Sequence, residues 1–95
     1  MNIKDLHPEA KSVSVLPLFK CSDGNVAAIQ IATNEQLKEH ITKIPALLVC
    51  ISGEVIFENE QGLKIVLTAG DYLTIEPYIK HWINATTTSN LILVK

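Results

Sequence analysis

Two histidines, His40 and His81, are the side chains in this sequence best suited to chemistry. His40 closes the polar run "NEQLKEH" and stands just before the apolar stretch "IPALLVCI", while His81 follows a Pro77-Tyr78 corner and opens "HWINA". An imidazole changes charge near neutral pH, and its bare nitrogen ligates divalent metals, so two facing rings could share a metal ion or serve as acid and base. They could equally satisfy each other, or a water, and do no more than line a cavity. No obvious nucleophile or oxyanion hole accompanies either. The cysteines, Cys21 and Cys50, lack CxxC spacing and read as small apolar residues. The remaining histidine, His7, lies in a polar N-terminal arm and is expected to be solvated.

The elements that must position these rings are short and β-rich. Turn signals recur at "SDGN", "TNEQ", Lys43-Ile44-Pro45, Ser52-Gly53, Glu60-Gln61-Gly62, Ala69-Gly70-Asp71, Pro77 and the Thr86–Asn90 cluster. Between them lie "SVSVLPLFK", "VAAIQIAT", Leu37–Thr42, Ala46–Ile51, "EVIFEN", "LKIVLT", "YLTIE", "KHWINA" and "LILVK". Eight or nine short strands joined by tight turns predict an all-β, antiparallel sandwich or barrel. The one helical signal is a turn near Pro8–Lys11. Strand alternation puts His40 and Thr42 on one face and Glu39 and Ile41 on the other. Phe19, Phe57 and Tyr72 fall on strands and read as core, whereas Trp82, next to His81, turns to the outer face.

With 95 residues, the chain is one domain's worth. The net charge is -2, and all eight cations are lysines, scattered along the chain. Without arginine, bidentate recognition of phosphate or guanine is excluded, so no nucleic-acid partner is expected. No run approaches the ~20 apolar residues that span a bilayer, and "MNIKDLHPEAK" has no apolar core of a signal peptide. The expected setting is cytoplasmic, with no membrane partner.

The two halves of the turn pattern resemble the paired motifs of the cupins, small jelly-roll barrels. The first cupin motif runs Gly, His-x-His, Glu, Gly. Its register here falls on Asn34, His40-Ile41-Thr42, Ala46 and Gly53. The second runs Gly, Pro-x-Gly, His, Asn, and falls here on Gly70, Glu76-Pro77-Tyr78, His81 and Ala85. The spacing is kept throughout and the identities are kept at His40, Gly53, Gly70 and His81; "ISGEVIF" and "AGDYLTI" are typical wording around those glycines. The chain thus resembles a small single-domain cupin of the cupin-2 type with an incomplete metal-ligand motif. The resemblance implies an antiparallel jelly-roll barrel, the double-stranded β-helix, with residues 1–25 as N-terminal arm and strands and 26–95 as barrel core.

It further implies that His40 and His81 meet inside the barrel, in a pocket lined by His40, Thr42, Ala46, Leu48, Cys50, His81 and Ile83. In metal-binding cupins the ligands are the two histidines and glutamate of the first motif plus the histidine of the second. Here Thr42 and Ala46 hold two of those places, which leaves His40 and His81, with Glu76 or Gln30 as a possible third ligand for Zn, Ni, Mn or Fe. The expected function is binding of a small molecule around His40 and His81, with weak metal binding possible. The alternatives are a metal- or His-dependent isomerase, lyase or dioxygenase, and a non-catalytic sensory or interaction module. A homodimer is expected through the apolar "SVSVLPLF" strand and the outward Trp82.

Overall fold

The computed structural model describes residues 1–9 and 11–95. Nine strands follow a short 3-10 turn at Ile3–Asp5: β1 (Val13–Cys21), β2 (Gly24–Ile31), β3 (Gln36–His40), β4 (Ala46–Ser52), β5 (Glu54–Asn59), β6 (Lys64–Thr68), β7 (Tyr72–Ile75), β8 (His81–Ala85) and β9 (Ser89–Val94). They form a five-stranded sheet in the order β1-β2-β9-β4-β7 and a four-stranded sheet in the order β3-β8-β5-β6. Every pairing is antiparallel, and the two sheets close on one core, the jelly-roll arrangement expected from the sequence.

The core follows from period-two alternation. Ile29, Ile31, Leu48, Cys50 and Leu91 point inward from the larger sheet and meet Val55, Phe57, Leu67 and Ile83 from the smaller. Each such side chain, fully buried, stabilises the fold by about 1.5 to 3 kcal/mol. The β1–β2 hairpin turns on Ser22-Asp23, with Cys21 paired to Gly24. The turn therefore sits one residue earlier than an Asp-Gly signal suggests.

Two sequence expectations are corrected, and a third falls partly outside the described residues. Phe19 and Tyr72 are 61% and 70% exposed, because the register places them on the outer face of the larger sheet rather than in the core. His7 is not solvated: its ring packs against β1, where Nδ1 lies 2.7 Å from Ser14 Oγ and Nε2 is buried. The helical turn expected at Pro8–Lys11 includes Ala10, which lies outside the described residues; the helical turn that is described is Ile3–Asp5. Trp82 does face outward, half-buried, and its indole N–H donates to Glu58 Oε2 at 3.1 Å within the same chain. No helix among the described residues is long and apolar enough to cross a membrane.

Candidate functional site

His40 and His81 are directly opposed in the β3–β8 ladder. A bulge makes this possible. Leu37 pairs with Ile83 and packs on the core, so strict alternation would send His40, three positions on, to the outside. One extra residue between Leu37 and His40 reverses the facing and turns the imidazole toward His81. Strand β3 then ends at His40, short of the expected Thr42.

The rings meet edge to face, with centroids 4.1 Å apart and Nε2 to Nε2 at 3.0 Å. Each Nδ1 is engaged with the carbonyl two residues upstream: His40 with Lys38 O at 3.0 Å and His81 with Ile79 O at 3.2 Å. A carbonyl oxygen only accepts, so both Nδ1 atoms carry hydrogen. For the Nε2 pair to attract rather than repel, one of the two must also carry hydrogen, and the pair then holds a single positive charge. His81 is 1% exposed and stacks on Phe57 at 5.5 Å, whereas His40 is exposed. Burial pushes the His81 ring below the ordinary histidine value, against the Ile79 carbonyl, which favours the charged form; the neighbouring His40 and Lys95 add to the lowering. His81 is accordingly the neutral, accepting member of the pair.

Beside His81 lies a cavity of about 40 Å³ lined by Phe57, Asn59, Leu63, Thr74, Ile75, Glu76, Ile79 and His81. Asn59 Oδ1 is spent on the amides of Gln61 and Leu63, at 2.9 and 3.1 Å, which fixes the amide group at the cavity edge. Phe57 and Asn59 were not legible as site residues, because they come from β5, between the two motifs, and Thr74 and Ile79 were not, because they fill unspecified positions within the second motif.

The other expected site residues are placed differently. Ala46, Leu48, Cys50 and Ile83 face inward, as alternation requires, but they are close-packed core and do not border this cavity. Thr42 is buried, and its hydroxyl donates to Ile44 O at 2.7 Å while its carbonyl accepts from Tyr78 N–H at 2.8 Å. It braces the corner after β3. Gln30 lies between the inward Ile29 and Ile31, so it faces outward, and its amide donates to Asn90 Oδ1 at 3.2 Å. Of the two proposed third ligands, only Glu76 stands near His81.

The donor set does not fit a resident metal ion. Two imidazoles converge, yet the place of a third histidine holds a hydroxyl already bonded to a backbone carbonyl, and the place of the carboxylate holds buried Ala46. Among the described residues no group of three or more His, Cys, Asp or Glu side chains is arranged to hold one.

Compared with known proteins, the sequence matches no family model and no curated protein. Solved structures do match. A cupin superfamily protein from Desulfitobacterium hafniense DCB-2 superposes with a TM-score of 0.86 at 16% identity, covering 98% of this chain and 84% of that one. A cupin-2 domain containing protein from Shewanella frigidimarina NCIMB 400 gives 0.82 at 13% identity over 100% and 92% of the two chains. KdgF from Halomonas sp. gives 0.78 at 17% identity over 95% and 82%.

Proposed function

The chain is a small barrel of the cupin fold, and we propose that it binds a small molecule at the mouth where His40 meets His81, without a resident metal ion. The observation that supports this is the 3.0 Å Nε2 bond between two rings whose Nδ1 atoms are already engaged. That arrangement concentrates one positive charge where a buried ring meets an exposed one. It favours a ligand with a carboxylate or another acceptor-rich end. A cavity of about 40 Å³ admits a group of only a few heavy atoms, so the rest of the molecule stays at the mouth beside His40.

Thermal shift against short carboxylic acids and carbonyl compounds tests the reading. A ligand at a hundred times its Kd adds about 2.7 kcal/mol, which for a domain of this size raises Tm by roughly 10 to 20 °C. The rise should vanish in His40→Ala and persist in Gln30→Ala. If no compound of this class shifts the wild-type protein, the reading fails. Acid–base turnover is the second reading, favoured by a proton shared between a buried and an exposed imidazole; it requires conversion of a bound compound that stops in His81→Ala.

We also propose that two copies associate through the outer face of the five-stranded sheet. The rows Leu16–Ala28–Ile92–Val49–Tyr72 and Phe19–Val26–Val94–Leu47–Thr74 cross that face without a charge. A two-fold interface sets a patch against itself, so an uncharged patch is self-complementary where a charged one repels. The face bearing Trp82 also carries Glu58 and Lys64 and suits this less. Light scattering at tens of micromolar should give a dimer mass, reduced to a monomer by Leu47→Glu; a monomer in the wild type ends the idea.

A further inference from the structure

The N-terminal segment lies against the outer face of β1. It begins with a 3-10 turn at Ile3–Asp5, capped by Asn2, whose side chain accepts from Lys4 N–H at 2.9 Å. Among the described residues, the contact of His7 Nδ1 with Ser14 Oγ is the one hydrogen bond between residues 1–9 and a strand. Packing around it is loose. A cleft of about 300 Å³ runs beside Leu6, Pro8, Ser14 and Leu16, and another of about 260 Å³ lies among Met1, Ile3, Leu6 and Leu18. Of the outward-facing β1 residues, Ser14 and Leu16 border the cleft beside the segment.

His7 is the weak point of this attachment. Its Nε2 is buried and has no hydrogen-bond partner. A hydrogen on Nε2 would leave a buried donor unpaired, so the docked ring is the neutral form that donates from Nδ1 to Ser14 Oγ and keeps Nε2 bare. A second proton would have to go on Nε2, where nothing accepts it.

The charged groups nearby give that proton no support. Lys4 and Asp5 belong to the turn, Glu9 and Lys11 pair with each other at 3.6 Å, and none of the four bonds the ring. From the sheet, β1 presents Ser14 and Leu16, and β2 presents Gln30 behind Ser14. Burial lowers the ring's affinity for a proton, in agreement with the geometry.

We propose that residues 2–9 form a strap, docked on β1 while His7 is neutral and released when acid protonates its ring. The sign follows from linkage. The free segment binds the proton more readily than the docked one, so docking is complete above about pH 6.5 and weakens by at most about tenfold per pH unit below it. Release uncovers Ser14 and Leu16 and widens the uncharged face of the larger sheet.

The test is NMR on the intact chain at pH 8 and pH 5, reading the heteronuclear NOE and amide protection of residues 2–9 together with the His7 ring proton shift. The wild type should be ordered at pH 8 and lose that order at pH 5 with the midpoint of the His7 titration. His7→Phe and His7→Gln, which cannot titrate, should hold the segment equally at both pH values, and Ser14→Ala should loosen it already at pH 8. Order retained by the wild type at pH 5, acid release persisting in either His7 variant, or a midpoint that follows another group would overturn the proposal.

Discussion

At the end of the barrel where β4 turns into β5, the buried polar side chains of Ser89 and Asn90 are hydrogen-bonded. Ser89 is wholly buried, and its hydroxyl accepts from Glu54 N–H at 3.0 Å and lies within bonding distance of Thr87 O and Glu54 O. The Thr86 N–H donates to Glu54 O while its hydroxyl lies within bonding distance of Glu54 O and Oε2, and Thr33 and Thr88 bond each other. Gly53 sits in the turn with φ of 86°, its Cα facing the Ser89 backbone. The opposite end, where β8 begins, has an exposed imidazole, a small cavity, and polar groups from Asn59, Thr74 and Glu76 at its rim. The same strands run through both ends. One end is closed by hydrogen bonds around Gly53, where even a Cβ would clash, and the other keeps donors that a ligand could use. The proposed binding falls at the loose end because only there can a partner replace water without displacing the fold's own bonds.

The difference can be broken most severely at the sealed end. A Cβ on Gly53 would fall 2.3 Å from Ser89 Oγ and 2.6 Å from Thr88 O, on a backbone that disfavours side chains. Gly53→Ala should therefore cost about 3 to 4 kcal/mol in urea unfolding, with the open end's chemistry untouched. A loss below 1 kcal/mol would show that this end yields easily and is not the rigid partner in the comparison. At the open end the largest effect belongs to the buried ring. His81→Ala removes a side chain stacked on Phe57 and leaves a void, and it should cost about 2 to 3 kcal/mol. It should also abolish ligand-induced stabilisation, which Gly53→Ala, measured where it is folded, should not.

How much of this could be read in the sequence differs between the ends as well. The barrel was legible because nine apolar stretches with regular turns leave few other folds. The opposition of His40 and His81 was legible from the spacing of the two motifs. What alternation alone could not supply was the bulge after Leu37, since a one-residue slip is invisible until the partner strand fixes the register. The wall of the cavity was missed for a related reason: Phe57 and Asn59 on β5 and Thr74 on β7 reach it through pairing distant in sequence. Ala46, Leu48, Cys50 and Ile83 were correctly turned inward, but facing inward does not distinguish a pocket wall from a packed core. Phe19 and Tyr72 misled because an aromatic on a strand says nothing about which face it takes. His7 gave no signal at all, as its environment depends on where the arm lies.

Acid gives a smaller and graded effect that sharpens the contrast. Because burial lowers the His81 ring, the unfolded chain binds that proton more readily than the folded one. The neutral ring's contribution is complete above about pH 6.5 and is lost as pH falls toward the lowered value, at no more than about 1.4 kcal/mol per pH unit. Urea unfolding of His7→Phe at pH 8, 6 and 5 isolates this from the strap. A flat profile would mean that the pair accepts a second proton without strain.

The smallest effect on stability, and the most telling, is expected for His40→Ala. The ring is exposed, so its removal leaves no internal void, and water at the mouth can take over the Nε2 of His81. The cost should be at most about 1 kcal/mol, that of one hydrogen bond and one cross-strand pair on the edge strand β3. Binding of the small molecule, in contrast, should be lost, because this ring is the member of the pair that is exposed at the mouth. A stability loss above about 2 kcal/mol with no ligand effect would reverse the assignment. The imidazole pair would then be a clasp pinning β3 to β8, and the open end would differ from the sealed one only in the kind of bond that closes it.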